Sequence, residues 1–144
     1  MKQYHTHIKI NAPIEKIWQE LTDFQAYPEW NPLVSRASGK IVEGEIIKTF
    51  IEPLAEEFNP TLIKVIENQE LVWVGQRFAK FLLAGKHYYK LEKITENQTR
   101  LLHGEYFTGL LANFISKKLL KKMEEAFLAH NQKLKERVEL KKDK

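Results

Sequence analysis

Leu110–Leu140, LLANFISKKLLKKMEEAFLAHNQKLKERVEL, decides the fold. Leu111, Phe114, Ile115, Leu119, Met123, Phe127, Leu134 and Val138 recur at helical spacing and form one apolar stripe. At 1.5 Å per residue such a helix is about 45 Å long. Its polar side and tail carry the excess positive charge. From Lys117 to Lys144 there are ten Lys and Arg against five Asp and Glu, whereas the rest of the chain is near neutral, and the formal net charge is +4. Nucleic-acid-binding domains show a basic patch joined to a recognisable module. Here the charge lies along one amphipathic helix, so a solvated helix face is the simpler reading and no nucleic acid is expected as a partner.

The segments before the helix are strand-like. Gln98–Phe107 places Leu101, His103, Glu105 and Phe107 on one side, and Gly85–Ile94 places His87, Tyr89 and Leu91 on one side with Lys86, Lys90 and Glu92 on the other. A tight turn at Glu96-Asn97 joins them, so the inward sets face each other in neighbouring strands. Same-face pairing sets His87 opposite Glu105 or Phe107, and Tyr89 opposite His103 or Glu105. Further strands are expected over Val34–Lys40, Glu45–Ile51, Thr61–Asn68 and Leu71–Arg77, with a turn at Asn68-Gln69.

At the start of the chain, Tyr4, Thr6, Ile8 and Ile10 alternate with His5, His7 and Lys9 as in a half-buried strand. Asn11-Ala12-Pro13 then reads as a helix start, with Asn11 as cap and Pro13 in the first turn. Ile14, Ile17, Trp18 and Leu21 follow at helical spacing. A second short helix is expected over Phe24–Tyr27, stopped by Pro28 and Pro32. The class is therefore α+β: a seven-stranded curved antiparallel sheet around a long C-terminal helix, with two short helices after strand 1. The sheet's apolar face needs a cover, and the last helix is the element large enough to provide it. A strongly bent sheet around one helix can leave an apolar pocket.

The 144 residues fit one domain, 1–144. There are no cysteines, which excludes disulfides and thiolate metal sites. The polar start lacks the apolar core of a signal peptide, and no run approaches the roughly 20 apolar residues of a membrane span. The expectation is a cytoplasmic protein without stable membrane insertion.

Ile10-Asn11-Ala12-Pro13-Ile14-Glu15-Lys16-Ile17-Trp18, with Leu21-Thr22-Asp23 and Tyr27-Pro28-Glu29-Trp30-Asn31-Pro32, resembles the opening of the SRPBCC superfamily. That group includes START domains, the birch-pollen-allergen type and polyketide cyclase/dehydrase-like proteins. Leu71-Val72-Trp73-Val74-Gly75 is similar to its central strand, and His87-Tyr88-Tyr89 with Glu105-Tyr106-Phe107-Thr108-Gly109-Leu110 to its last hairpin. Asn131–Arg137 resembles its helix end. The resemblance covers essentially the whole chain. It implies a helix-grip fold with a deep cavity that holds lipids, sterols, polyketides or plant hormones, in members that catalyse and in members that only carry or sense. A fold with many occupations does not choose among them.

His87, Tyr89, His103 and Glu105 form a polar cluster inside an otherwise apolar interior. Carboxylate beside imidazole suits proton transfer, so His103, Glu105 and Tyr89 are the catalytic candidates. The alternative is mutual satisfaction and orientation of a ligand's polar end. Trp30, Asn31, Phe50, Trp73, Phe107, Phe114 and Phe127 join the cluster as candidate ligand contacts, against a background of ordinary core packing. Phe78–Ala84 carries four large apolar side chains where a connection belongs, and reads as a cavity lid or as an exposed patch. His5 and His7 share an outward face without a third ligand, and no HExxH or Gly-rich phosphate loop occurs, so neither metal nor cofactor is expected. The leading expectation is binding of a hydrophobic small molecule for transport, sequestration or sensing. A cyclase/dehydratase-type enzyme and a co-chaperone-like interaction module are the alternatives, and the sequence names no protein partner.

Overall fold

The computed structural model describes residues 2–76 and 83–140. β1 (Lys2–Ile10) leads into α1 (Ile14–Thr22), a 3-10 turn (Phe24–Ala26) and α2 (Tyr27–Trp30). β2 (Val34–Ser38), β3 (Lys48–Ile51) and β4 (Glu56–Phe58) follow, then β5 (Thr61–Ile66), β6 (Glu70–Gln76), β7 (Ala84–Thr95) and β8 (Gln98–Thr108). The chain closes with a second 3-10 turn (Ala112–Phe114) and α3 (Lys117–Leu140). The expected α+β helix-grip architecture is the one observed. Among the described residues its strands number eight rather than seven, in a five-stranded sheet ordered β1-β8-β7-β6-β5 and a three-stranded sheet ordered β2-β3-β4. The extra strand, Glu56–Phe58, is three residues long, too short to show a period in sequence. Every strand pair is antiparallel.

Several boundaries moved for identifiable reasons. α3 begins at Lys117, not Leu110, and its 24 residues span about 36 Å. Ile115 is extended, and the Ser116 hydroxyl accepts from the Leu119 N–H at 3.1 Å, which makes Ser116 the cap. Leu111, Phe114 and Ile115 therefore precede the helix rather than forming its first turns. Pro13 rather than Asn11 occupies the cap position of α1, with no side-chain cap bond. Asn11 instead accepts from the Gln98 side chain and donates its N–H to Glu139. Pro28 does not stop a helix: it sits in the first turn of α2, where its missing N–H costs nothing.

The core lies between the concave face of the larger sheet and α3. Met123, Phe127, Leu134 and Val138 of α3 are buried against Tyr4, Ile10, Leu91 and Leu101 of the sheet and Ile17 and Leu21 of α1. Each fully buried side chain of this size contributes about 1.5–3 kcal/mol. At the far end of α3, Arg137 donates to Glu20 at 2.6 Å and to Glu29 at 3.2 Å, tying the helix to α1 and α2. Glu20 is buried, and such a carboxylate is costly without its cation. No helix among the described residues is long and apolar enough to cross a membrane. Leu134→Ala should lower unfolding free energy by about 2–5 kcal/mol, whereas Leu128→Ala, on the half-exposed side of α3, should stay within about 0.5 kcal/mol. Urea titration of both variants checks the assignment, and equal losses would contradict it.

Candidate functional site

The inward rows of three adjacent strands define one surface. β6 contributes Trp73 and Gly75, β7 contributes Gly85, His87 and Tyr89, and β8 contributes His103, Glu105 and Phe107. The register pairs Trp73 with His87 and Gly75 with Gly85 across β6 and β7, and His87 with Glu105 and Tyr89 with His103 across β7 and β8. Gly75 and Gly85 put no side chain on the inner face, and a hollow of about 210 Å³ opens there. The first half of α3 and the segment before it roof the hollow through Ile115, Leu119, Leu120, Met123 and Phe127. Val34, Thr49, Ile51 and Phe58 of the smaller sheet close another side. Among the described lining residues none is Lys or Arg, and the side chains with titratable groups are His87 and Glu105.

Below the hollow, the polar cluster is a continuous hydrogen-bonded chain. Tyr89 Oη lies 2.9 Å from His130 Nε2, His130 Nδ1 lies 3.1 Å from Asn131 Oδ1, and His103 Nδ1 lies 2.8 Å from the same oxygen. Asn131 Nδ2 donates to Thr6 Oγ1 at 2.8 Å, and Thr6 Oγ1 donates to the His103 carbonyl at 2.6 Å. His103 Nε2 meets His87 Nε2 at 2.8 Å. The rings also stack: Tyr89 on His103 at 4.3 Å, His103 on Phe127 at 4.2 Å and Trp73 on His87 at 4.4 Å. Burial holds all three imidazoles neutral. His130 is pushed down to about 3, and His87 and His103 well below the usual imidazole range. Burial acts on Glu105 in the other direction and raises its carboxyl to about 7, although the Tyr4 hydroxyl, donating at 2.9 Å, favours the ionised form.

The candidates named from sequence divide into three groups. Trp73, His87, Glu105, Phe107 and Phe127 line the hollow. Tyr89 and His103 are fully buried beneath it and bond to other protein groups, so they do not front the space. Trp30, Asn31, Phe50 and Phe114 lie elsewhere. Trp30 packs on Tyr27 and His130 and, with Asn31, borders a separate surface groove against Arg137 of α3. Asn31 turns its Oδ1 to the N–H groups of Leu33 and Val34. Strand alternation sends Thr49 and Ile51 inward and Phe50 the other way, where Arg36 lies 4.4 Å over its ring. Phe114 is 81% exposed because α3 starts after it. Of Phe78–Ala84, residues 78–82 lie outside the described residues, while Leu83 lines the hollow and Ala84 opens β7. His5 bonds to Tyr88 on the outer face, and among the described residues no His, Cys, Asp and Glu group is arranged to hold a metal ion.

The sequence reading missed Tyr4, Thr6, His130 and Asn131 as members of the polar cluster. The signals were present: Tyr4 and Thr6 share the apolar side of β1, and 130 and 131 fall between Phe127 and Leu134 on the buried stripe of α3.

A family model described as polyketide cyclase / dehydrase and lipid transport matches residues 1–139. Among solved structures, the chain is similar to the Aha1 dimer from Colwellia psychrerythraea, at 22% identity and a TM-score of 0.76, over 99% of both chains. It is similar to a START superfamily protein from Mycobacterium smegmatis at 19% identity and a TM-score of 0.72, over 96% of this chain and 97% of that one. Protein MLL2253 from Mesorhizobium loti gives 16% identity and a TM-score of 0.78, over 99% and 100%. At these identities the likenesses establish the fold alone. A sequence search among curated proteins finds no match.

The buried imidazoles set an acid limit on stability. Below about pH 6.5 the unfolded chain protonates all three while the folded chain does not, so stability is full above that pH and falls as pH drops. Glu105 opposes this: its raised value means its contribution is full below about 4.5 and is lost as pH rises through about 7. Between pH 6.5 and 4.5 three depressed imidazoles act against one raised carboxyl, so the net slope is a loss of stability on acidification. Urea midpoints across this range should show that slope, and Glu105→Gln should steepen it. A flat profile would refute the neutral imidazole chain.

Proposed function

We propose, from the premise that this chain belongs to the polyketide cyclase / dehydrase and lipid transport family, that it holds a compact hydrophobic molecule between sheet and α3 for transport, sequestration or sensing. One observation carries the reading: a hollow of about 210 Å³ with apolar walls and one polar end, where a chain of this size would otherwise pack solid. The volume lies below the roughly 300–1,000 Å³ of sites for drug-sized ligands, which favours a small, aromatic-type occupant over a long lipid. Trp73, Phe58, Phe107 and Phe127 supply flat walls for such a molecule.

The enzymatic reading has one observation in its favour. Glu105, with its carboxyl raised to about 7, has the value of a general acid or base that works near neutral pH. His103 and Tyr89 do not support it in the roles first given to them, since both are sealed beneath the hollow and spend their polar atoms on Asn131, His87 and His130. Proton transfer would therefore rest on Glu105 with His87. The interaction-module reading takes as its surface either Phe78–Ala84, of which residues 78–82 lie outside the described residues, or the basic C-terminal helix.

Native mass spectrometry of freshly purified protein, followed by solvent extraction, tests the proposal. The expected result is one small apolar molecule per chain, recovered chemically unchanged, and its loss in Met123→Trp, whose larger side chain fills the hollow. Glu105→Gln should alter ligand affinity or its pH response, while exposed Glu92→Gln should alter neither. Steady turnover of an added ligand would replace the binding reading with the enzymatic one. A protein that neither carries nor takes up any apolar molecule would refute both.

A further inference from the structure

His87 Nδ1 is buried and has no hydrogen-bond partner, and its ring forms part of the cavity wall. A native structure rarely leaves such an atom unexplained. The network beneath fixes what the atom is. Thr6 Oγ1 lies 2.6 Å from the His103 carbonyl, which can only accept, so the Thr6 proton is committed there. Thr6 Oγ1 must then accept from its other neighbour, so Asn131 turns Nδ2 toward it and Oδ1 toward the two imidazoles. Both imidazoles therefore donate from Nδ1. A neutral His103 with its proton on Nδ1 has a bare Nε2, and the 2.8 Å contact to His87 Nε2 requires the proton to belong to His87. His87 is neutral as well, so its Nδ1 is a bare lone pair: an acceptor waiting for a donor.

The other polar groups of the wall point to the same chemistry. Thr49 spends its hydroxyl proton on the Phe58 carbonyl at 3.0 Å. Glu105 takes the Tyr4 hydroxyl on Oε1, and its Oε2 lies over Gly85, where a Cβ would come within 2.6 Å of it. With Glu105 ionised, the Trp73 indole N–H is the remaining uncommitted side-chain donor among the described lining residues, and no Lys or Arg is there to receive an anionic head.

We propose that the polar end of the cavity, His87 Nδ1 and the carboxylate of its strand partner Glu105, selects an apolar ligand carrying a hydroxyl donor, a phenol or alcohol, over a carboxylic acid or an ether of the same skeleton. This rests on the ligand-binding reading above and narrows it. A hydroxyl gives the orphan lone pair its missing proton. A ligand carboxylate brings acceptor against acceptor and a second negative charge beside Glu105 without a counter-ion. An ether fills the hollow but leaves the lone pair unpaired.

Two measurements test it, one without ligand. In the ligand-free protein, long-range proton–nitrogen correlation spectra should place the ring proton on Nδ1 in His103 and His130 and on Nε2 in His87. A proton on Nδ1 of His87 would overturn the proposal. Calorimetric titration at pH 8, where Glu105 is ionised, then compares 2-naphthol, 2-methoxynaphthalene and 2-naphthoate. Naphthol should bind at least about tenfold more tightly than either analogue. His87→Phe should erase its advantage over the ether. Equal affinities, or tightest binding of naphthoate, would sink the donor preference and leave the cavity reading standing. Failure of all three to bind would count against that reading and this inference together.

Discussion

The interior turns on one oxygen atom. Asn131 Oδ1 stands between His103 of the sheet and His130 of its own helix, while the Asn131 amide nitrogen reaches Thr6 on β1. A single amide thus joins the last helix to the first and last strands of the chain, in a region that excludes water. Buried polar groups of this kind are costly unless every partner is present. That requirement sets the rotation of α3 and its height along the sheet more narrowly than apolar packing alone, which tolerates sliding. It also fixes proton positions, because each hydroxyl and neutral imidazole in the series has one proton to give and one place to put it, and the Asn131 amide accepts only at Oδ1.

The network divides the core into two unlike halves. On one side Leu134 and Val138 of α3 meet the side chains of β1, β8 and α1, and the interior is solid. On the other side paired Gly75 and Gly85 withhold side chains from the sheet, and the roof is made by the first turns of α3 and the loop ahead of it. The hollow is where the sheet lacks a side chain on two adjacent strands. It is bounded below by His87, the last imidazole in the chain of hydrogen bonds and the one whose outer nitrogen has no protein partner. The solid half therefore supplies stability and orientation, and the hollow half supplies space with a chemically defined floor.

The family likeness and the cavity answer different questions. Membership in the polyketide cyclase / dehydrase and lipid transport family, and structural likeness at 16–22% identity, account for the shape. They say little of the occupant. The occupant's chemistry is written in a handful of side chains whose hydrogen-bonding capacity is either spent or left over. Glu105 illustrates the difference. Its position on β8 makes it inward, but only enclosure raises its carboxyl to about 7, and only the absence of a neighbouring cation among the described residues leaves it there.

Strand alternation and helical spacing were enough to read the α+β class, the inward rows of the last hairpin and the pairing of His87 with Glu105 and Tyr89 with His103, because these follow from periods of two and 3.6 and from one turn. The same rules applied to Phe50 point outward, and size was a poor substitute for parity. Local sequence also held the true start of α3 in Ser116, and the buried positions of His130 and Asn131, though an apolar stripe obscured them. What no local pattern contains is which buried groups meet across the fold. The contact of Asn131 with Thr6, 125 residues away, and the neighbouring glycines of β6 and β7 that open the hollow, come from three-dimensional closure. Residue spacing determines which way a side chain faces. Only the folded chain determines what it faces, and whether its last proton or lone pair remains free for a ligand.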